Sequence, residues 1–144
     1  MKNNNKGFSL LELLIVVAII LIIATIAIPS LLRSRQAANE SAAVANVRTI
    51  NTAQVTYLSS AAGSYGDMDS LIAAKLVDDT FTGTKAGYVY TITLGSGNQD
   101  YTVDANPAAP NTGRYGYYST PDAVVRYSTV GSLAPAGQSG RSVQ

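Results

Sequence analysis

Lys6-Gly7-Phe8-Ser9-Leu10-Leu11-Glu12 opens an apolar stretch that continues to Ile28 and closes at Pro29. From Phe8 to Ile28 the segment matches the roughly 20 residues a helix needs to cross the hydrocarbon core of a bilayer. Leu, Ile, Val and Ala fall on every face, as expected of a helix surrounded by lipid or by other helices. Glu12 is the one acid in the stretch and lies just inside one edge. A carboxylate there costs on the order of 3 kcal/mol on insertion scales, so a partner or a function is expected for it. Pro29 removes a backbone donor and crowds the preceding turn, which ends or kinks a helix. Helical signals continue beyond it, so a kink is expected.

Three readings compete for residues 1–28. An ordinary secretory signal has a shorter apolar region ending in a small-residue cleavage site, and no acid interrupts its start. A plain membrane anchor accounts for the length, and Lys2 and Lys6 then hold the N-terminus on the cytoplasmic side. It gives no reason for Glu12. A leader cut ahead of the apolar region does.

Lys6-Gly7-Phe8-Ser9-Leu10-Leu11-Glu12 resembles the class III signal of type IV pilins and the related pseudopilins of type II secretion. The match covers roughly Lys2 to Pro29: a short basic leader ending in Gly, then Phe, then Glu four residues later, an apolar run and Pro. The resemblance implies that a prepilin peptidase cuts between Gly7 and Phe8 on the cytoplasmic side and methylates the new amino group of Phe8. It also implies that Glu12 pairs with the Phe8 amine of a neighbouring subunit. A carboxylate in an apolar filament interior needs a cation, and processing creates one at Phe8. Within one helix Phe8 and Glu12 are a turn apart, so pairing inside the chain is equally open at this level.

The full chain has 144 residues, 47% hydrophobic and 13% charged, with ten basic and nine acidic side chains. That length suits one modest domain plus the apolar segment. Near-neutral charge gives no footprint for nucleic acid, and no nucleic-acid partner is expected. With no cysteine there is no disulfide framework. With neither cysteine nor histidine, the commonest zinc ligands and the usual base of a nucleophilic triad are missing. The Ser/Thr/Gly/Ala/Tyr-rich remainder looks like an exported surface protein. Removing residues 1–7 takes away Lys2 and Lys6 and leaves eight basic against nine acidic side chains.

Beyond Pro29, Ala43, Val47, Ile50, Tyr57 and Ala61 recur at helical spacing, opposite Ser41, Arg48, Thr52, Thr56 and Ser59. Gln54 interrupts the apolar stripe. One helix is predicted over about residues 8–60, its first half apolar and its second amphipathic, ended by Gly63 and Ser64. The connector from Tyr65 to Gly87 holds a short helix capped by Asp67 or Asp69, with Leu71, Ile72 and Leu76 as its apolar side. Tyr88, Tyr90, Ile92 and Leu94 alternate with Val89, Thr91 and Thr93; a Gly95-Ser96-Gly97-Asn98 turn and the alternation from Tyr101 to Asp104 complete a hairpin. Residues 114–119 and 123–129 form a second pair around Thr120-Pro121-Asp122. Residues 133–144 read as a loose tail. The predicted class is α+β: a cleaved leader at 1–7, a long helix at 8–60 with 8–28 as membrane span and filament core, and a head at 61–144 whose small antiparallel sheet packs on the amphipathic half. By the resemblance this is the pilin fold.

Chemistry is sparse outside the N-terminus. Asp67-Met68-Asp69 lacks the further alternating ligands and terminal Glu of a calcium loop and reads as a cap; no metal and no cofactor are expected. Asp78-Asp79 reads as a pair of solvated loop charges. No glycine loop with a following Lys and Ser/Thr is present, so assembly takes its ATPase from another protein. Tyrosines at strand positions suit half-buried strands. Arg33, Arg35 and Arg48 mark the membrane interface or pair with acids of adjacent subunits, such as Glu40. No enzyme activity is expected. The function implied is a structural pilin: a single-pass inner-membrane protein with its N-terminus cytoplasmic, extracted by an assembly platform and its ATPase into a homopolymeric surface filament. The alternatives are a type II secretion pseudopilin and a single-pass anchored binding domain.

Overall fold

Leu10–Ser60 forms one long helix, α1, in a computed structural model that describes residues 7–128 and 140–143. Met1–Lys6, including Lys2 and Lys6, lie outside the described residues, as do 129–139 and Gln144. By contacts the chain divides into two units, Met1–Ser34 and Arg35–Gln144. The second therefore begins within α1.

In the first unit every described apolar side chain from Phe8 to Leu32 is exposed or only partly buried. By length and composition α1 carries one stretch able to cross a membrane, with none of it buried within the chain. Pro29 lies inside α1 and lacks the N–H that would otherwise meet the carbonyl of Thr25.

In the second unit the amphipathic pattern is realised. Ala43, Val47 and Ile50 are fully buried, and Ser41, Arg48, Thr52, Thr56 and Ser59 are exposed. Ala61 N–H donates to Tyr57 C=O (2.8 Å) and Gly63 N–H to Leu58 C=O (3.1 Å). Ala62 takes the left-handed conformation (φ 53°) between them, so the helix closes in a Schellman turn one residue before the expected glycine.

α2 (Met68–Ala73) is capped by Asp67, whose carboxylate accepts from Ser70 N–H at 2.9 Å; of the two candidate caps, Asp67 is used. A 3₁₀ turn (Asp79–Thr82) and β1 (Thr84–Lys85) follow, both too short for sequence periodicity to mark. The sheet continues through β2 (Tyr88–Leu94), β3 (Tyr101–Pro107), β4 (Tyr117–Ser119), β5 (Arg126–Tyr127) and β6 (Arg141–Ser142). The six strands among the described residues are antiparallel neighbours in chain order. The β2–β3 hairpin has the expected alternation, with pairing from Leu94↔Tyr101 to Tyr88↔Pro107.

Tyr88, Tyr101, Val103 and Ala105 meet Ala43, Val47, Ile50, Leu71 and Phe81 in one core. Full burial of the Val, Ile, Leu and Phe side chains among them contributes about 1.5–3 kcal/mol each. Gly113 approaches so closely that a Cβ there would overlap the Tyr88 ring and hydroxyl, and Tyr88 Oη donates to Tyr115 C=O at 2.8 Å. The tail reading needs correction for Gly140–Val143: Arg141 and Ser142 pair with Tyr127 and Arg126, and Val143 N–H donates to Val125 C=O at 2.8 Å. Two residues of strand in a Gly/Ser-rich context leave no period to read. The rest of the expected tail, 133–139 and Gln144, and residue 129 of the expected last strand, lie outside the described residues.

Candidate functional site

The site builds from the first turn of α1. Ser9 is not helical; its carbonyl accepts the first helical hydrogen bond, from Leu13 N–H at 3.2 Å, and its Oγ accepts from Leu11 N–H at 3.3 Å. In return Ser9 N–H donates to Glu12 Oε2 at 2.9 Å. Ser9 and Glu12 thus form half of a capping box: the acid three residues on satisfies the N–H of the N-cap serine, while the serine hydroxyl serves Leu11 N–H instead of that of Glu12. Glu12 also sits where the positive end of the helix dipole favours a carboxylate. Among the described residues its second oxygen, Oε1, has no hydrogen bond.

This geometry adjusts the sequence expectation. Helical spacing placed Phe8 one turn from Glu12 inside α1. The helix begins two residues later, and the group that meets Glu12 is the Ser9 backbone N–H. Gly7 and Phe8 precede the helix in non-helical conformation, with Phe8 83% exposed. Ser9 was missed by the sequence reading; the signal was the Ser-Leu-Leu-Glu spacing immediately before an apolar run.

Farther along α1 the polar side chains turn inward. Gln54, fully buried, donates through Nε2 to Gly66 C=O (2.6 Å) and accepts at Oε1 from Gly66 N–H (3.0 Å). Asn51 donates to Ser119 Oγ (2.8 Å) and accepts from Tyr101 Oη (3.1 Å). Asn46 donates to Tyr90 Oη at 2.9 Å and Asn39 to Thr112 C=O at 2.8 Å. The residue that interrupts the apolar stripe is therefore a tie to the connector, and four further side chains repeat the device along the helix.

Glu40 is the charged member of this set. Arg114 donates to it three times, from its backbone N–H to Oε1 (2.8 Å), from Nε to Oε1 (3.0 Å) and from Nη2 to Oε2 (2.8 Å). Burial alone would raise the Glu40 pKa, but the Arg114 hydrogen bonds and charge outweigh it and leave it below the ordinary value. Glu40, offered as an acid for Arg33, Arg35 or Arg48 of a neighbouring subunit, has a bidentate partner within the chain on both oxygens.

Asp78 is more than a solvated charge. It caps the 3₁₀ turn through Thr80 N–H (3.0 Å) and pairs with Lys85 at 2.6 Å. Asp122 pairs with Arg126 at 2.6 Å, and that hydrogen-bonded pairing holds its carboxyl down at about 2. Tyr88, Tyr101 and Tyr117 are core residues whose hydroxyls are pushed up foremost by burial.

Residues 2–28 match the prokaryotic N-terminal methylation motif. The chain is similar to the type IV major pilin protein PilA of Myxococcus xanthus, 46% identical over 55 residues, which is 38% of this chain and 25% of that protein. It is also similar to the type IV wide pilus major component PilA4 of Thermus thermophilus, 55% identical over 42 residues, 29% of this chain and 32% of that one. The chain thus spans a quarter to a third of the length of these curated relatives. No solved structure matches it.

Proposed function

We propose that this chain is the structural subunit of a type IV pilus. It is made with a leader at 1–7, cut between Gly7 and Phe8, methylated at the Phe8 amine, held in the inner membrane by residues 8–28 with the N-terminus cytoplasmic, and drawn into a helical surface filament by an assembly platform and its ATPase. The observation that carries the reading is the N-terminal block: a methylation motif at 2–28, an apolar helix exposed on every face, and one acid in it whose Oε2 is capped and whose Oε1 is open.

That half-satisfied acid fits the role. A carboxylate offers about four acceptor sites, so Glu12 takes the Phe8 amine of a neighbouring subunit without giving up Ser9. Pairing between chains registers each arriving subunit against the last, and surfaces that are complementary rather than self-matching propagate an open helical assembly. Ala18, Ala24 and Ala27 allow close helix approach, and Pro29 gives the helix a place to bend or partly melt during extraction. The role is structural, with no catalysis.

The test is electron microscopy of sheared surface material with antibody against this chain. Long labelled filaments are expected; short or absent filaments contradict the pilus and favour a secretion pseudopilus or an anchored domain.

A further inference from the structure

Among the described residues Arg33, Arg35, Arg48, Lys75 and Arg141 have no ion pair, and two of them stand at the end of the apolar run. The apolar run of α1 ends at Leu32, and Arg33 and Arg35 follow, both exposed and, among the described residues, in no hydrogen bond or ion pair. The next acid along the helix, Glu40, has both oxygens held by Arg114. Two positions apart on a helix is a turn of about 200°, so the two side chains leave α1 on nearly opposite sides. A protein docked on one face of the helix meets one of them. A layer that surrounds the helix meets both. At 1.5 Å per residue, Arg33 stands about 35 Å from Leu10, beyond a hydrocarbon core of about 30 Å and at the depth of the headgroups, and Arg35 follows it on α1.

We propose that Arg33 and Arg35 form a phosphate girdle: each guanidinium binds the phosphate of an anionic phospholipid in the leaflet where α1 emerges, fixing the depth of the subunit before assembly. The planar guanidinium fork matches phosphate oxygens in bidentate fashion, and long basic side chains reach along the helix to the interface. An anionic headgroup is favoured over a zwitterionic one because it carries no ammonium of its own to compete. Arg48 is exposed like them but lies farther along α1, in the part that packs against the sheet.

This inference rests on the membrane reading of residues 8–28, and the experiment separates the two. The full-length chain is reconstituted in nanodiscs of mixed phosphatidylglycerol and phosphatidylcholine, and the lipids it retains are identified by native mass spectrometry. Enrichment of phosphatidylglycerol by about fivefold per arginine is expected. Arg33→Gln and Arg35→Gln should each remove one share and the double variant return the ratio to that of the bulk, with Arg48→Gln unchanged. Incorporation without enrichment, or enrichment that survives in the double variant, overturns the girdle alone. Failure of the chain to enter nanodiscs overturns the membrane reading and the girdle with it.

Discussion

The two stretches of α1 invert each other. From Leu10 to Leu32 apolar side chains are exposed, with nothing among the described residues to bury them; from Glu40 to Gln54 three polar side chains, Glu40, Asn51 and Gln54, are buried and each has its partner in the chain. Uncovered apolar surface on this scale calls for an outside partner, lipid or another helix. Buried polar groups call for partners already in place, because a group left unpaired inside costs about 1–3 kcal/mol. The first stretch is therefore unfinished without its surroundings, and the second is complete as it stands.

That contrast predicts a clean division of mutant phenotypes. The largest stability loss is expected from Gln54→Leu, which leaves both backbone groups of Gly66 without partners and costs about 3 kcal/mol, read as a lower melting temperature in near-ultraviolet circular dichroism of the detergent-solubilised chain. An unchanged melt would mean that this buried polar tie does not hold α1 to the connector. Next comes Arg114→Ala. Stripping a buried carboxylate of its partner can cost 3–5 kcal/mol, and with Arg114 half exposed about 2 kcal/mol is expected. The loss should vanish in the double variant with Glu40→Gln if the penalty belongs to the unpaired charge.

Ser9→Ala belongs to the other stretch. Removing an N-cap hydroxyl costs about 1 kcal/mol, here confined to the first turn of α1. Amide hydrogen exchange at Leu11 to Leu13 should speed up while the melting temperature stays put; a drop in melting temperature would break the division. The smallest effect concerns Asp122. Its pKa in the folded chain is depressed to about 2 from an ordinary value near 3.8, so its pairing with Arg126 stabilises fully above about pH 4 and is lost as pH falls through about 2. Asp122→Asn should lower the melt at pH 7 and match the parent chain near pH 2.

Legibility followed the same divide. The long helix, its exposed and buried faces and the β2–β3 hairpin were written in period: apolar residues at helical spacing from Ala43 to Ile50, alternation from Tyr88 to Leu94. What period cannot carry was lost. β1 and β6 have two residues each, too few to alternate. Gln54 looked like a flaw in the stripe because its partner, Gly66, lies across the turn that ends the helix. Glu40 looked free because Arg114 is 74 residues away in sequence. At the site, Glu12 was visible as an anomaly, but its partner was sought in a charge. The local spacing of Ser9 and Glu12 held the other half of the answer.

Glu12 gives the most direct test of the central claim, that its carboxylate has one bond within the chain and one reserved for another subunit. Glutamine also serves at the third position of a capping box, so Glu12→Gln keeps the Ser9 bond and removes only the charge. The account predicts a chain that is made, cut after Gly7 and folded with an unchanged melting temperature, yet yields no filaments in sheared surface preparations. Filaments of normal number and length from Glu12→Gln would contradict it.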